Sequence, residues 1–397
     1  MADEPLTVAI VAACPFPEPR GTPVRILRMA EGLAARGHHV HVVTYHLGSG
    51  EVEDAVTVHR IPRVVTYRKR SPGPSYQKVL ILDALLAAKL ASVLRRHRVD
   101  VIHAHHAEGF CAAAAARLGT GIPLIYDAHT LLASELPFYP LGLPLRMKRF
   151  LGERLDRLIP RWSDHVISVT EKIRDKLVGE GGLPEERISV ISNGVELELF
   201  AAEPAVEGRA RDRLRRMIFT GNLAPYQGID LLLLAFREIL QHRSDVRLQI
   251  VTDSSFEPYE PLARRLAIRA SVDLIAAGFD KIPALLAGAD MAVNPRTSCD
   301  GIPLKLLNYM AAAKPVVSFA GSAVGIRHQE TGWVVENGDV AGFARAALTL
   351  LADSTLADEL GRNARTYVEE HHSWQRTAER TEEVYRRLIE GAARSRA

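Results

Sequence analysis

The stretch Met291–Ser318, MAVNPRTSCDGIPLKLLNYMAAAKPVVS, holds the pattern that decides the fold. Its first apolar residues predict a strand over Met291–Asn294. A polar loop follows, and a helix is predicted to open near Pro303, because proline lacks only an N–H that a first turn leaves unbonded. A second β-branched run predicts a strand over Pro315–Phe319. Strand, helix and strand in this order indicate a parallel α/β unit.

The loop and helix of this unit combine polar groups with one apolar face. Asp300 and Gly301 lie in the loop, and Lys305 and Asn308 share one side of the helix. The neighbouring side is apolar and would pack, through Leu304, Leu307 and Ala311. A cation and an amide beside the positive end of a helix suit an anionic ligand that carries hydroxyl groups. A nucleotide diphosphate sugar meets this description.

The same alternation continues along the whole chain. Further strands are predicted at Thr7–Ala12, His39–Thr44, Val99–His103, Pro123–Tyr126, His165–Val169, Ile188–Ile191, Met217–Thr220, Val246–Thr252, Asp273–Ala276 and Gly332–Val335. Helical patterns lie between the strands, at Pro23–Arg36, Lys78–Arg96, Gly109–Leu118, Glu171–Val178, Ile229–Gln241, Ile282–Ala289, Leu304–Ala313 and Val340–Ala352. This order predicts an α/β fold of doubly wound parallel sheets.

The chain is long enough for two such domains. A turn dipeptide, Asn193-Gly194, precedes the loose stretch Ala201–Arg209. We therefore predict Rossmann-like domains over residues 1–194 and 195–373, facing each other across a cleft. An amphipathic helix over about residues 374–392 would cross back onto the first domain. Ligands of open parallel sheets bind at the carboxyl ends of the strands, where the candidate polar residues cluster.

Composition excludes several classes of protein. Of the 397 residues, 47% are hydrophobic, and the net charge is only +3, so a large core is available and no nucleic-acid-binding stripe is present. The N-terminus carries acidic Asp3 and Glu4 and does not resemble a signal peptide. Asp83 and Lys89 interrupt the most apolar run, Val79–Leu94, so no membrane span is predicted. We expect a cytoplasmic protein and leave open a peripheral contact with the inner face of the membrane.

The cysteine and histidine patterns do not predict a metal centre. Cys14, Cys111 and Cys299 are far apart and form no CxxC motif, so neither a zinc site nor a disulfide framework is indicated. His103 and His105 share one face of a strand, but the nearby sequence adds no carboxylate or thiolate. We interpret these histidines as core or cleft-lining residues, and expect neither a metal ion nor a cofactor.

Two places near strand ends are candidate site positions in the first domain. Gly21 would let a ligand approach the backbone, and Thr22 is a predicted N-cap with Pro23 at the first helical position. A helix N-terminus suits a phosphate, but an ordinary capped helix explains the same residues. His129 follows a strand at its carboxyl end, where a catalytic role and a structural role are both open.

A second glycine-containing loop follows the first strand of the second domain. It reads FTGNLAPYQG over Phe219–Gly228 and has Gly221 near its start. Asn222 and Gln227 supply neutral amides within it. The loop is either a second phosphate-binding turn or an ordinary polar loop.

Taken together, these motifs resemble the retaining family 4 glycosyltransferases of the GT-B fold. The resemblance spans nearly the whole chain and rests on the order and spacing of its parts. Those parts are Gly21, Gly37–Val40, Asp100–His105, His129, Ile191–Val195 with Phe200, Phe219–Gly221 with Gln227–Gly228, Pro295–Asp339, and Ser373–Trp374 with Tyr385.

The resemblance implies transfer of a sugar from a UDP- or GDP-sugar to a glycan, lipid or small-molecule acceptor, in cell-envelope or polysaccharide biosynthesis. It implies retention at the anomeric carbon, an acceptor on the first domain, a donor on the second, and no metal ion. It assigns catalysis to His129 and Asp300. It assigns donor binding to Gly21, Thr22, Gly221, Asn222, Gln227, Arg296, Gly301, Ile302, Pro303, Lys305, Leu306 and Asn308.

Three positions depart from the family pattern. Asn308 stands where the family has a second acid, and an amide can still bond ribose hydroxyls. Asn222 and Gln227 stand where the family has a basic pair, and losing bonds to charged groups would cost a few kcal/mol of donor binding. We expect Lys305 to be the main phosphate cation, with further candidates in Arg296, Arg20 and Arg25.

Two other functions stay open at this point. A nucleotide-sugar epimerase would share the fold, and a non-catalytic nucleotide-sugar-binding partner of another transferase would fit the missing basic pair. The acceptor is open as well. The segment Leu131–Trp162 carries apolar residues followed by bases, which suits either contact with an anionic membrane or ordinary packing on the first domain.

Overall fold

The computed structural model describes residues 4–18, 21–48, 50–64, 66–68, 77–139, 141–200 and 214–396. Asp3, the candidate cation Arg20 and the stretch Ala201–Arg209 lie outside these ranges. The chain divides into two compact units. The first comprises Met1–Gly194 with Trp374–Ala397, and the second comprises Val195–Ser373. Each unit is built on one parallel β-sheet, which is the Rossmann-like architecture.

The sheet of the first unit has seven strands in the order β3-β2-β1-β4-β5-β6-β7. Their bounds are β1 Thr7–Ala12, β2 His39–Thr44, β3 Val56–Arg60, β4 Val101–His105, β5 Leu124–Ala128, β6 His165–Ser168 and β7 Ile188–Val190. Ala12 is in register with both Thr44 and His105, so β1, β2 and β4 finish at the same edge. The edge strand β3 was not predicted.

Six helices follow these strands within the described residues of the first unit. They are α1 Gly21–Ala35, α2 Asp83–Arg96, α3 His106–Ala116, α4 Leu132–Glu135, α5 Leu145–Leu158 and α6 Glu171–Gly179. A π-helical stretch, Lys78–Leu82, leads straight into α2, and the two together fill the predicted helical range. α2 buries Leu86, Leu90 and Val93, which recur at helical spacing. The side chain of Thr170 caps α6 by accepting the N–H of Ile173.

The sheet of the second unit has six strands in the order β10-β9-β8-β11-β12-β13. They are β8 Arg215–Thr220, β9 Val246–Val251, β10 Val272–Ile275, β11 Met291–Asn294, β12 Val316–Phe319 and β13 Trp333–Val335. Its helices are α7 Ile229–His242, α8 Glu260–Arg265, α9 Ile282–Gly288, α10 Leu304–Ala311, α11 Val340–Ala352 and α12 Ser354–His371. Every predicted strand of both units is present, with bounds that differ by at most two residues.

The last helix, α13, runs over Trp374–Arg396 and belongs to the first unit. Its buried residues share one apolar cluster with α1 and β1. A Cβ on Gly32 would lie 2.9 Å from the Cβ of Ala378, so glycine permits the two helices to pack closely. Glu382 accepts a hydrogen bond of 2.5 Å from Arg36 and lies 3.3 Å from His38. The helix is therefore part of the core of the first unit.

Among the described residues, no single helix is both long and apolar enough to span a membrane. α11 and α12 pass that test of length and composition only as a pair, and the pair is bent by 103°.

Candidate functional site

The carboxyl ends of β4 and β5 carry a buried cluster of ionisable groups in the first unit. Asp127 is fully buried, and Arg25 from α1 bonds it with Nε 3.1 Å and Nη2 3.0 Å from Oδ2. His103 Nε2 lies 3.2 Å from the same carboxylate. Burial opposes ionisation of Asp127, but the charge of Arg25, aided by His129 and His103, outweighs it and holds the pKa of Asp127 well below its ordinary value. This carboxylate is the fixed charge around which the cluster is arranged.

Arg25 is fully occupied inside the first unit. Besides Asp127, its guanidinium donates to the carbonyls of Ile191 and Ser192 and to the side chain of Asn193, at 3.0 to 3.1 Å. These bonds use all of its N–H donors. The expectation that Arg25 supplies charge to a phosphate is therefore wrong, because its side chain is 1% exposed and has no donor left.

His129 follows β5 at the edge of this cluster, and its ring is 10% exposed. Its Nε2 lies 2.8 Å from Nδ1 of His105, and its Nδ1 lies 3.4 Å from the hydroxyl of Thr22. The Thr22 hydroxyl lies 2.7 Å from Nε2 of His106. In one consistent set of tautomers, His105 donates to His129 and His129 donates to Thr22. The 3.4 Å contact is long for a hydrogen bond, so Nδ1 of His129 is the ring nitrogen most easily offered to a ligand.

The His129 ring is neutral near pH 7. Burial lowers its pKa well below the ordinary value, and the opposing charge of Asp127 does not restore it. A neutral imidazole offers one donor and one acceptor. His129 can therefore orient ligand hydroxyls without adding charge.

The start of α1 differs from the prediction. The helix begins at Gly21, with φ +51°, so Thr22 lies within the first turn and its hydroxyl contacts the histidines. The prediction that Thr22 is the N-cap is wrong for this reason. A Cβ on Gly21 would meet no atom within 4 Å, which leaves the backbone open on that side. Gly21 and Thr22 thus lie at the rim of the histidine cluster.

Two members of this cluster were assigned no role from the sequence. Asp127 had a usable signal, since a carboxylate inside an apolar strand must be paired when it is buried. Tyr385 belongs to the family pattern, but no local pattern shows that its hydroxyl reaches Nδ1 of His103 at 2.6 Å from the other end of the chain. His103 is itself fully buried, in agreement with a core role.

In the second unit, the loop after β8 is shaped by two glycines. Gly221 has φ +128°, a conformation that side-chain-bearing residues rarely adopt. Gly228 precedes α7 with φ +71°, and a Cβ there would lie 2.3 Å from the carbonyl oxygen of Pro295. Between them, Gln227 Nε2 lies 3.4 Å from Oδ1 of Asn222. The glycines therefore set the shape of the loop and let it approach the chain that follows β11.

Lys305, in the first turn of α10, reaches this loop. Its Nζ donates to Gln227 Oε1 at 2.7 Å and lies 4.0 Å from the centroid of the Phe219 ring. Within the part of the chain that the structure describes, no carboxylate lies within ion-pairing distance of Nζ. Burial, followed by the charge of Arg296, lowers the pKa of Lys305 well below its ordinary value. A bound anion would supply the opposite charge that this ammonium lacks.

Arg296 lies close to the same amides. Its guanidinium carbon lies 4.9 Å from the centroid of the Tyr226 ring, and its Nε donates to the carbonyl of Ser298 at 2.6 Å. The Tyr226 hydroxyl accepts from Nδ2 of Asn222 at 3.2 Å. The structure therefore brings together four of the predicted donor-binding side chains in a patch that we call the Lys305 patch, formed by Asn222, Gln227, Arg296 and Lys305.

A buried amide at the end of β11 and a backbone bond fix the chain around the loop before α10. Asn294 Nδ2 donates to the hydroxyls of Ser318 and Ser322, each at 2.9 Å. The Cys299 N–H donates to the carbonyl of Gly321 at 2.9 Å. These bonds position Asp300, which is 5% exposed.

The remaining predicted donor-binding residues lie around the start of α10. Gly301 and Ile302 lead into Pro303, which is the residue before the first helical one, and Asn308 is half-buried one turn further along. Leu306 is fully buried, and its N–H donates to the carbonyl of Pro303 at 2.9 Å. Leu306 therefore serves the core of the second unit.

Two family models cover most of the chain. The model for Glycosyltransferase Family 4 matches residues 19–199, and the model for Glycosyl transferases group 1 matches residues 215–353. The chain is a family 4 glycosyltransferase. The resemblance to the family 4 glycosyltransferases is thereby confirmed.

Curated relatives of this glycosyltransferase cover almost its full length. The D-inositol 3-phosphate glycosyltransferase of Rhodococcus jostii is 27% identical over 394 residues, which are 92% of this chain and 84% of that protein. The MMP alpha-(1->4)-mannosyltransferase of Mycolicibacterium hassiacum is 26% identical over 402 residues, which are 93% of this chain and 95% of that protein.

Solved structures show the same fold for the glycosyltransferase. Sucrose-phosphate synthase from Thermosynechococcus elongatus matches with a TM-score of 0.83 at 18% identity, over 97% of this chain and 100% of that one. Anabaena HepE, solved in complex with UDP and glucose, matches with a TM-score of 0.72 at 18% identity, over 96% and 99%. The predicted GT-B fold of two Rossmann-like domains is confirmed.

Proposed function

We propose that this glycosyltransferase is a retaining hexosyltransferase. It would move a sugar from a UDP- or GDP-sugar to a glycan, lipid or small-molecule acceptor in cell-envelope or polysaccharide biosynthesis. The observation that carries the proposal is Lys305, an ammonium group whose described contacts are a neutral amide and an aromatic ring. The diphosphate of a nucleotide sugar is an anion that would match it. Support comes from HepE, which has been solved with UDP-glucose.

The donor would bind on the Lys305 patch and the start of α10. Lys305 and Arg296 supply positive charge for the diphosphate, and the helix N-terminus adds its partial charge. The neutral side chains of Asn222 and Gln227 offer amide donors to phosphate oxygens. In the unliganded protein Gln227 holds Lys305, so the bound diphosphate would take the place of that amide oxygen.

Asp300 and Asn308 would recognise hydroxyl groups of the donor. A carboxylate accepts hydrogen bonds from sugar hydroxyls, and an amide can both donate to and accept from ribose hydroxyls. Because the Cys299 N–H bonds the carbonyl of Gly321, the backbone beside Asp300 is held in place before the ligand binds.

In the proposed reaction, the bond from the anomeric carbon to the diphosphate oxygen breaks as a new bond to the acceptor oxygen forms on the same face. Negative charge grows on the leaving diphosphate, where Lys305 and the α10 N-terminus stabilise it. The acceptor proton passes to a diphosphate oxygen, so no strong protein base is needed. His129 would orient a reacting hydroxyl through Nδ1 as a neutral hydrogen-bonding group.

The first experiment is calorimetric titration of the full chain with UDP, GDP, ADP and one matching nucleotide sugar for each. Selective binding of the ligands that carry one particular base supports the glycosyltransferase function and identifies the nucleotide of the donor. If none of the ligands binds, Asn222 and Gln227 have not been compensated, and the non-catalytic partner becomes the better explanation.

A second experiment separates the three functions. Donor turnover is measured with and without a panel of acceptors that includes inositol phosphates, and the anomeric configuration of each product is read by NMR. Transfer with retention supports the proposal, whereas an inverted product contradicts it. Epimerisation of donor without an acceptor identifies an epimerase, and binding without turnover identifies a partner protein.

One structural observation favours a peripheral contact with anionic membranes. Packing of α5 on α4 is close at Gly152, where a Cβ would lie 2.4 Å from the Cα of Ala133. Met147 and Phe150 on the same helix stay 50% and 56% exposed. Basic residues flank them, at Arg146, Lys148, Arg149, Arg154 and Arg157. Apolar side chains beside cations suit the surface of an anionic membrane.

Vesicle co-sedimentation tests this contact. The full chain is expected to bind vesicles with anionic lipid at low salt, and the double variant Met147→Ser, Phe150→Ser is expected to lose binding. Leu118→Ser is the matched control, because Leu118 is 81% exposed elsewhere in the first unit. Equal binding of all three proteins, or no binding at all, would contradict the contact.

A further inference from the structure

Three histidines from three elements converge on the face of the first sheet that packs against α2. His41 lies on β2, His59 on the edge strand β3, and His97 directly after α2. His41 pairs with Thr57 and Val43 with His59, so alternation places His41 and His59 on the same face of the sheet. We call these three residues the edge triad.

The ring nitrogens of the edge triad are close enough to share one ion. Nε2 of His59 lies 3.1 Å from Nδ1 of His41, and one nitrogen from each ring lies within 4.8 Å of the other two. The ring centroid of His97 lies 4.2 Å from that of His41 and 5.8 Å from that of His59. Two nitrogens bound to a tetrahedral zinc ion are about 3.3 Å apart, given bonds of about 2.0–2.1 Å. We infer that the edge triad is a three-histidine site for a divalent transition-metal ion of the zinc class.

The charged side chains beside the edge triad are cationic, so a metal ion there would need an anionic fourth ligand. α2 ends at Arg96, so its carbonyl end, which carries partial negative charge, adjoins the ring of His97. A cavity of about 430 Å³ opens beside the triad and is lined in part by Arg96 and Arg98. Three neutral imidazoles leave the ion with two positive charges, and these arginines would draw an anion such as phosphate to its open position.

A second group of possible metal ligands, His103, His105 and Asp127, differs in an important way. Arg25 already bonds the carboxylate of Asp127, and Nδ1 of His103 already meets Tyr385. A metal ion there would have to displace a buried guanidinium from its counter-charge. At the edge triad, within the described part of the chain, the hydrogen bond of the ring nitrogens is the one between His59 and His41. A metal ion there would displace no buried ion pair among the described residues.

The edge triad is separate from the candidate catalytic cluster. His41 is in register with Ala9, and Ala9 with Ile102, whereas His105 lies three residues further along β4. Strand geometry places the Cα atoms of His41 and His105 roughly 14 Å apart. This distance combines about 10 Å along the strands with two inter-strand spacings. The ion would therefore join β3, β2 and the end of α2, and would take no direct part in sugar transfer.

Titration of the untagged, chelator-treated full chain with Zn²⁺ and with Co²⁺ tests the site. We expect one ion per chain and visible Co²⁺ absorption bands of a tetrahedral complex. His59→Ala and His97→Ala should each raise the dissociation constant by more than about 100-fold, because losing a ligand costs more than losing a ligand's hydrogen-bond partner, at about 10–100-fold. Circular dichroism checks that each variant is folded.

The control is His39→Ala, which removes a histidine that lines the same cavity but lies outside the edge triad. It should bind the ion as the unmodified chain does. If the unmodified chain binds no ion, or if the His59 and His97 variants bind as tightly as the control, the inference is overturned. Loss of binding in all three variants would also overturn the assignment to these three ligands.

Discussion

In the first unit, Asp127 and Arg25 are both buried, and each satisfies the other together with histidines and backbone carbonyls. In the second unit, Lys305 is a cation whose described contacts are all neutral, and its pKa is depressed as a result. In the first cluster the buried charges pair with each other, whereas among the described residues no carboxylate pairs with the Lys305 ammonium. Charges that pair within the protein, as those of Asp127 and Arg25 do, fix the geometry of a site. A buried charge with no charged partner in the described part of the chain, as at Lys305, is suited to bind an anion.

The largest expected effect comes from removing the carboxylate of Asp127, which pairs with Arg25. Asp127→Asn leaves the guanidinium of Arg25 buried without a counter-charge, so we expect a loss of about 3–5 kcal/mol in the free energy of unfolding. Because the native pKa of Asp127 is lowered, the cost is full above the unfolded-state pKa of about 3.9 and fades as the pH falls through the native pKa. Chemical denaturation between pH 4 and pH 8 measures it.

Asp245→Asn is the matched control for that variant. Asp245 pairs with Arg243 at 2.6 Å, but its side chain is 42% exposed. An exposed pair contributes only about 0–1 kcal/mol. Equal costs for the two variants would mean that burial does not decide the value of the Asp127–Arg25 pair.

Removing the unpaired charge should act on ligand binding and spare the fold. We expect Lys305→Ala to weaken binding of the nucleoside diphosphate by about 10- to 150-fold, the equivalent of about 1.5–3 kcal/mol for a bond to a charged group. Thermal stability should hold or rise, because a desolvated ammonium is lost. Lys281→Ala, at an exposed lysine of the same unit, should change neither quantity. An unchanged dissociation constant in Lys305→Ala would remove Lys305 from the donor site.

The third effect is expected from replacing His129, whose ring lies at the edge of the Asp127 cluster. His129→Ala should lower turnover at least about tenfold, as expected for the loss of an orienting or acid–base group. The affinity for the nucleoside diphosphate should change far less, since that ligand is assigned to the Lys305 patch. His371→Ala, at a histidine that is 49% exposed, is the control. Wild-type turnover in His129→Ala would show that the histidine chain serves only the fold.

The smallest expected effect is a partial uptake of one proton by Lys305 when the nucleoside diphosphate binds. Burial and Arg296 depress the pKa of Lys305 in the unliganded protein, and a bound diphosphate would raise it again. Binding should therefore take up protons, and affinity should fall as the pH rises between the two pKa values of Lys305. Calorimetry in buffers of different ionisation enthalpy measures the uptake, which should vanish in Lys305→Ala. Proton release on binding would contradict this account of the patch.

The sequence predicted most of the fold because the strands are short β-branched runs in a regular alternation. β3, Val56–Arg60, was not predicted because it is a five-residue edge strand with only one buried residue, Val56, and a polar end. α12, Ser354–His371, was not predicted because it follows another helix directly, where the alternation of strands and helices predicts a strand.

The two sites were predictable to different degrees. The Lys305 patch arises from loops that follow two strands of one sheet, so motif order was enough to collect its residues. The Asp127 cluster depends on long-range pairs such as His103 with Tyr385, which no local pattern reveals. Arg25 was misjudged because a sequence shows a cation but not its burial.

The position of α13 has a consequence for synthesis on the ribosome. Tyr385, which completes the hydrogen bonding of His103, is translated only after the whole of the second unit. At about 5–20 residues per second, that order delays the finished first unit by roughly 10–35 s. A nascent chain that stops within the second unit therefore exposes the apolar face of α1 and carries an unfinished histidine cluster. Truncated products would therefore expose this apolar surface to proteases and would lack the hydrogen bond between Tyr385 and His103.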